Sequence, residues 1–458
     1  MKNQRRVLYG AILAVLSATA SPILLAATDA ELEQLRKELA NAQNAIRQLE
    51  AKLNRLEQQN ATQPTSTSTS NSTSTSTTNT PQPAIASEAI VIATSPKPQL
   101  EVYGFGMVDY VQDFNRVNPA WDSTLRPSRI PTTDGQFGSD GQAILSARQS
   151  RLGVNYSVPI GSETLVTKFE FDMFGVGSDE GQTTIRLRHA YGEWGAWLAG
   201  QTNSLFMDVD LFPNTIDYWG PSGMVFLRNP QIRWTPIKGA THFAIAIENP
   251  GVDVDTSGPY SNAAIQGNET FPDITSQLRF NQGWGHVQLA GILRQLEYET
   301  LGTPNNNPSD REIGWGLDLT SNIKFGADTL RLGVVYGEGI ATYMNDGGMD
   351  MGTESISTEP MGAVPLTGVV VYYDHNWNAH WSTALGYSFT EVDNLSLQGG
   401  SAFQKGEYAS INLLYAPAPP IMMGVEYLWG QRTDNDGDSG QDNRLQFSMK
   451  YSFSSLSF

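Results

Sequence analysis

Along residues 164–206 every second side chain is mostly apolar. Leu165, Thr167, Phe169, Phe171 and Met173 alternate with Lys168, Glu170 and Asp172, and a β-strand sends two such sets to opposite faces. The next run repeats the pattern, with Ile185, Leu187 and Tyr191 against Arg186 and Arg188. One face suits hydrocarbon and the other gathers charge, which predicts a hairpin of a membrane barrel with a wet lumen. From Leu100 onward the chain holds about sixteen such runs, separated by connections of alternating length. Short ones near 159–163, 192–196, 236–240, 282–285, 322–328, 376–380 and 417–420 read as periplasmic turns. Long ones near 115–143, 203–225, 250–272, 300–310, 339–366, 393–404 and 433–443 read as outer loops, with a shorter one at 175–182. The last run sets Leu445, Phe447, Met449, Tyr451 and Phe453 against Arg444, Gln446, Ser448 and Lys450, and should close the ring beside residues 100–114. Its aromatic alternation is the usual signal for the barrel-assembly machinery. The parity breaks after Phe453, so residues 454–458 form a bulge or an overhang.

Ahead of the barrel the pattern changes three times. Residues 1–27 carry Lys2, Arg5 and Arg6, then an apolar stretch, then small residues at Ala20 and Ala27, as in a secretory signal peptide. In 28–60, Leu32, Leu35, Leu39, Ala42, Ile46, Leu49, Leu53 and Leu56 follow the heptad spacing of an α-helical coiled coil, placed in the periplasm by the export signal. Residues 61–98 turn to Thr, Ser, Asn and Pro and read as a disordered linker. The expected fold is therefore all-β over 99–458, a transmembrane antiparallel barrel of about 16 strands, preceded by the coiled coil. The 458-residue chain has no apolar run of about 18 residues after its start, which excludes a helical membrane protein. Its net charge of -18 argues against nucleic acid as a partner.

Parity puts Arg151, Arg186, Arg188, Arg233, Arg279, Arg294 and Arg331 inside, with Lys168, Glu170, Asp172, Glu312, Asp318 and Glu426. Guanidinium groups pair bidentately with carboxylates, and Arg186 and Arg188, roughly 7 Å apart on one strand face, suit an anionic solute. The alternative is that these arginines only neutralise the inward acids. Arg148 falls on the lipid side by parity, which requires a bulge or a subunit interface there. The loop at 203–225 carries Phe206, Leu211, Phe212, Ile216, Tyr218 and Trp219, too much apolar surface for water. It should fold into the lumen as a constriction, with Asp208, Asp210 and Asp217 facing Arg151, Arg186 and Arg188; the other placement is against a neighbouring subunit. Tyr191, Trp194, Trp197, Trp234, Trp284, Trp315, Tyr336, Trp377, Trp381, Tyr427 and Trp429 lie near strand ends, as in interfacial girdles. The histidines, His189, His242, His286, His375 and His380, show no metal-ligand or nucleophile spacing, so neither a cofactor nor an enzyme is expected.

Tyr103-Gly104-Phe105-Gly106, Gln149-Ser150-Arg151-Leu152-Gly153, Arg186-Leu187-Arg188-His189-Ala190-Tyr191 and Gly200-Gln201-Thr202 occur in an order that resembles the DcaP-like porins. The N-terminal coiled coil is similar too. The resemblance implies a homotrimeric channel in the bacterial outer membrane, among lipid and lipopolysaccharide, taking up dicarboxylates and other small anionic solutes. A competing function is an anchor or adhesin that tethers the cell wall through the coiled coil.

Overall fold

The computed structural model describes residues 98–302, 309–356 and 360–455. The signal peptide, the coiled coil, nearly all of the linker and residues 456–458 lie outside these. Sixteen antiparallel strands close into a ring. They are β1 (Gln99–Asp113), β2 (in two pieces, Gln142–Ser146 and Arg151–Ile160), β3 (Glu163–Phe174), β4 (Thr183–Trp194), β5 (Trp197–Asn203), β6 (Arg228–Ile237), β7 (Thr241–Glu248) and β8 (Asp273–Gln282). β9 (Gly285–Thr300), β10 (Asp310–Phe325), β11 (Asp328–Glu338), β12 (Pro365–Asn376), β13 (Trp381–Val392), β14 (Phe403–Ala418), β15 (Ile421–Asp434) and β16 (Ser439–Ser454) complete it. Closure is by β1 on β16, in register from Tyr103↔Ser454 to Asp113↔Arg444. A closed ring leaves no strand edge without a partner in the membrane, where an unsatisfied backbone group costs several kcal/mol, roughly.

The two faces separate as the alternation requires. Phe169, Ile185, Leu289, Leu317, Leu319, Ile411 and Phe447 are exposed on the outer wall, while Asp109, Glu170, Asp172, Asp318, Glu426 and Gln446 are buried on the inner one. Trp194, Trp197, Trp234, Trp284, Trp377 and Trp381 are exposed at strand ends, where an amphipathic ring prefers the headgroup level. The turns at 161–162, 195–196, 283–284 and 326–327 are tight, and the other ends of the strands carry the long loops.

Parity breaks in β4 and in β2. In β4 the register against β3 slips between Glu170 and Phe171, so that His189 opposes Glu170, Leu187 opposes Phe171, and Arg188 is the extra residue of a bulge. Below it the faces exchange, and Tyr191 opposes Lys168 on the lumen side instead of joining the lipid girdle. Arg148 lies in the break of β2 and is turned inward; its Nη1 donates to Ser123 Oγ at 3.0 Å and its guanidinium lies 4.6 Å from the Phe174 ring. A break in the strand thus resolves the cost of an arginine on the lipid face. The last outer connection is only 435–438, shorter than the expected 433–443, because β15 and β16 stay paired as far as Thr433↔Ser439. At the end of β16, Ser455 donates its N–H to Val102 O at 2.8 Å.

Loops fill the outer half of the lumen. Phe206, Met207 and Val225 pack with Ile292, Val335, Ile340 and Tyr343, while Val117, Leu125, Ile130, Leu211 and Met224 pack with Val370, Tyr372, Tyr408 and Leu428. Each fully buried aromatic or aliphatic side chain there contributes roughly 1.5–3 kcal/mol to seating the loops.

Candidate functional site

The segment 204–227 between β5 and β6 does not cap the barrel. It runs around the inner wall, hydrogen-bonded to nearly every strand that it passes. Ser204 Oγ donates to Glu248 on β7 (2.9 Å), Gln288 on β9 donates to Met207 O (3.2 Å), and Thr320 on β10 donates to Asp208 (2.7 Å). Arg331 on β11 donates to Asp210 O, and Asn412 on β14 donates to Asn214 O at 2.8 Å. The Ile216 and Asp217 N–H groups donate to Glu426 on β15 (3.1 and 3.0 Å), and Gln446 on β16 and Gln149 beside β2 both donate to Ile216 O. Having circled the lumen, the loop delivers Tyr218 to β3 and β4. The Tyr218 hydroxyl donates to Asp172 (2.8 Å) and accepts from Arg188 (2.7 Å) and from Arg186.

This path corrects the expected placement of the loop acids. Asp208 and Asp210 meet Arg279 on β8, with Asp208 also bonded to His286 on β9 at 2.6 Å, four to five strands around the ring from Arg186 on β4. Burial alone would raise the Asp208 carboxyl; the bonds from His286 and Thr320 and the Arg279 charge together bring it below its ordinary value. Asp208, Asp210 and His286 place possible metal-ligand atoms within 4.8 Å of one another, but Arg279 already bonds both carboxylates, so the trio works as a loop clamp. Asp217 is buried and accepts from the N–H groups of Leu125 and Gly220 and from the Tyr408 hydroxyl. Parity could not foresee where a loop crossing a dozen strands would set its acids down; the carboxylates went to buried N–H groups and cations on the way.

Arg151, Lys168, Arg186 and Arg188 do come together, around Glu170 and Asp172. Arg188 bonds Glu170 at 2.7 Å and Asp172 at 2.9 Å, and Arg186 bonds Asp172 at 2.6 Å. Arg151 and Lys168 stand 3.5 and 3.6 Å from Glu170, which also accepts from Tyr103 at 2.6 Å. The side chains of Arg151 and Lys168 are 26% and 25% exposed, against 4% for Glu170 and 0% for Asp172. The cations thus overlie the acids. Arg233 has no acid partner among the described residues and donates to Gln231 and to Asn203 O. Arg331 pairs with Asp374 at 2.8 Å. Arg294 is fully buried between Asp273 and Asp350 and fixes the 339–364 loop instead of lining a passage.

On the loop side of this cluster lies a cavity of about 650 Å³, lined by Arg126, Arg129, Arg186, Tyr218, Arg228 and Asp253 among others. Arg126 pairs with Asp346 at 3.0 Å and stacks 4.0 Å from the Trp219 ring. Sequence reading missed Arg126 and Arg129, which sit in a loop with no periodicity, and Arg228, which shares the lipid-side parity of Ile232 but is the first residue of β6, paired with Asn203 at the loop end of the strand.

The model of the DcaP outer membrane protein family matches residues 25–453. Among solved structures, the outer membrane channel DcaP of Acinetobacter baumannii is 24% identical with a TM-score of 0.67, over 78% of this chain and 98% of that one. An anion-selective porin from Comamonas acidovorans is 10% identical, with a TM-score of 0.49, over 78% of this chain and 100% of that one. OmpT of Vibrio cholerae, in its trimer form, is 10% identical with a TM-score of 0.48 over 78% and 100% of the two chains. No curated protein sequence matches significantly. The family match spans almost the whole chain and the ring closes with sixteen strands: the protein belongs to the DcaP outer membrane protein family and is a porin-type channel of the outer membrane.

Proposed function

We propose that the channel passes small anionic organic solutes, dicarboxylates among them, by diffusion through a constriction lined by Arg151, Lys168, Arg186 and Arg188. One observation carries this reading: four cations stand over two carboxylates that are almost wholly covered, so the surface presented to a solute is positive although the chain as a whole is acidic. Local field outweighs net charge at this range. The segment 204–227 narrows the same level of the lumen and sets the size limit. A homotrimer joined through its barrel walls, with the 28–60 coiled coils in the periplasm, belongs to the same reading.

Purified protein in a planar bilayer should conduct, give a reversal potential on the anion side in a salt gradient, and be blocked more strongly by dicarboxylates than by monocarboxylates. A cation-side reversal potential would refute the reading. Failure to conduct at all would favour an anchor whose lumen the loops have closed.

A further inference from the structure

Four charged groups lining the 650 Å³ cavity have no ion-pair partner among the described residues, Arg129, Arg228, Asp253 and Asp255. Arg228 is half-buried, lies 4.9 Å from the Phe226 ring, and makes no hydrogen bond or ion pair there. The Arg129 guanidinium has no acid partner either, and its Nε is buried without an acceptor. On the loop that follows β7, Asp253 uses its backbone groups to hold the 339–364 loop, the N–H donating to Asp350 at 3.0 Å and the carbonyl accepting from Asp350 and Met351. The residue is exposed and lines the cavity, with no side-chain ion pair among the described residues. Asp255 is buried and its carboxylate is held by the Gln398 amide at 2.6 Å and the Ser257 N–H at 2.7 Å, and the remaining charges are paired: Arg126 with Asp346, Arg186 with Asp172, Arg432 with Asp434.

An arginine partly removed from water without a counter-charge is held at a desolvation cost that an incoming carboxylate would offset. An exposed aspartate without a cation partner, with Asp255 and Asp350 adding negative charge beside it, asks for the opposite charge on another wall of the same cavity. We propose that this cavity is a binding vestibule for amino-dicarboxylates, the carboxylates set on Arg228 and Arg129 and the ammonium group directed to Asp253. This deepens the anion-channel reading and rests on it. It makes the outer entrance select for a solute with separated charges, and leaves the constriction beyond to admit anions generally.

The test is block of single-channel current by glutamate and by glutarate, which share chain length and differ by the ammonium group, added to the loop side of the channel. In the unaltered protein glutamate should block at a concentration about fivefold lower than glutarate, the order expected for one added charge pair near a surface. Asp253→Asn, which keeps the backbone bonds, should remove that advantage and leave glutarate block unchanged. Arg228→Gln should weaken both blockers. If glutamate blocks no better than glutarate, or Asp253→Asn weakens both equally, the vestibule proposal is overturned while the anion-channel reading stands. If neither compound blocks and the reversal potential lies on the cation side, the underlying reading has failed.

Discussion

Replacing Arg151 and Lys168 together by glutamine should reduce anion preference without unseating the barrel. Both residues are among the better-exposed cations of the cluster and each pairs only with Glu170, which keeps Arg188 at 2.7 Å and Tyr103 at 2.6 Å after they are gone. The cluster's formal charge falls from four cations over two acids to two over two. For a monovalent solute about 6 Å from each charge in water, each contributes about 0.7 kcal/mol, and screening at 0.1 M reduces this to about 0.4. Two such charges give about 0.8 kcal/mol, a roughly fourfold fall in anion occupancy with a matching gain for cations. The assay is the reversal potential of the double variant in a dilute potassium chloride gradient, repeated near 1 M salt. The shift toward cations should be clear in dilute salt and nearly vanish near 1 M, where each charge contributes only about 0.1 kcal/mol. An unchanged reversal potential in dilute salt, or an equal shift at both concentrations, would refute the argument. Arg186 and Arg188 are poorer targets, because removing them uncovers buried Glu170 and Asp172.

Tyr218→Phe removes a hydroxyl shared by Asp172, Arg186 and Arg188; it should weaken the loop seat by about 1–3 kcal/mol, seen as added open-channel noise, and quiet channels would count against it. Deleting residues 211–219 should raise single-channel conductance and admit larger solutes, whereas correctly folded channels of unaltered conductance would place the constriction elsewhere. At Gly223 an added Cβ would lie 2.2 Å from Phe389 O and 2.5 Å from Val369 O, both backbone atoms that cannot yield. Gly223→Ala should therefore lower the fraction of heat-modifiable folded barrel on gels, and full yield would show that the loop can shift.

The barrel was legible because hydrocarbon enforces period-two alternation along each strand that touches it, and no tertiary accident can overrule this across a whole face. The same rule located Arg151, Lys168, Arg186 and Arg188. It failed for Tyr191 because one extra residue at Arg188 reverses every face beyond it, and a bulge leaves no mark in composition. The expected placement of Asp208, Asp210 and Asp217 failed for a different reason. That the loop would bury its apolar residues inside follows from their amount, but which wall each acid reaches depends on the path, which is set by partners on a dozen different strands. Arg126, Arg129 and Arg228 lie in or beside loops, where periodicity carries no information.

A segment fastened in turn to β7, β9, β10, β11, β14, β15 and β16 before it reaches β3 behaves like a hoop inside a cask. It cannot take this course until the staves it is pinned to stand in place, and Glu426 and Gln446 belong to the last two of them. Calibration of the bore must therefore come at the end of assembly, after the first and last strands have met. A barrel caught before that moment would be a wide, unselective leak, and prying the finished ring open at any seam would first require the hoop to be stripped away.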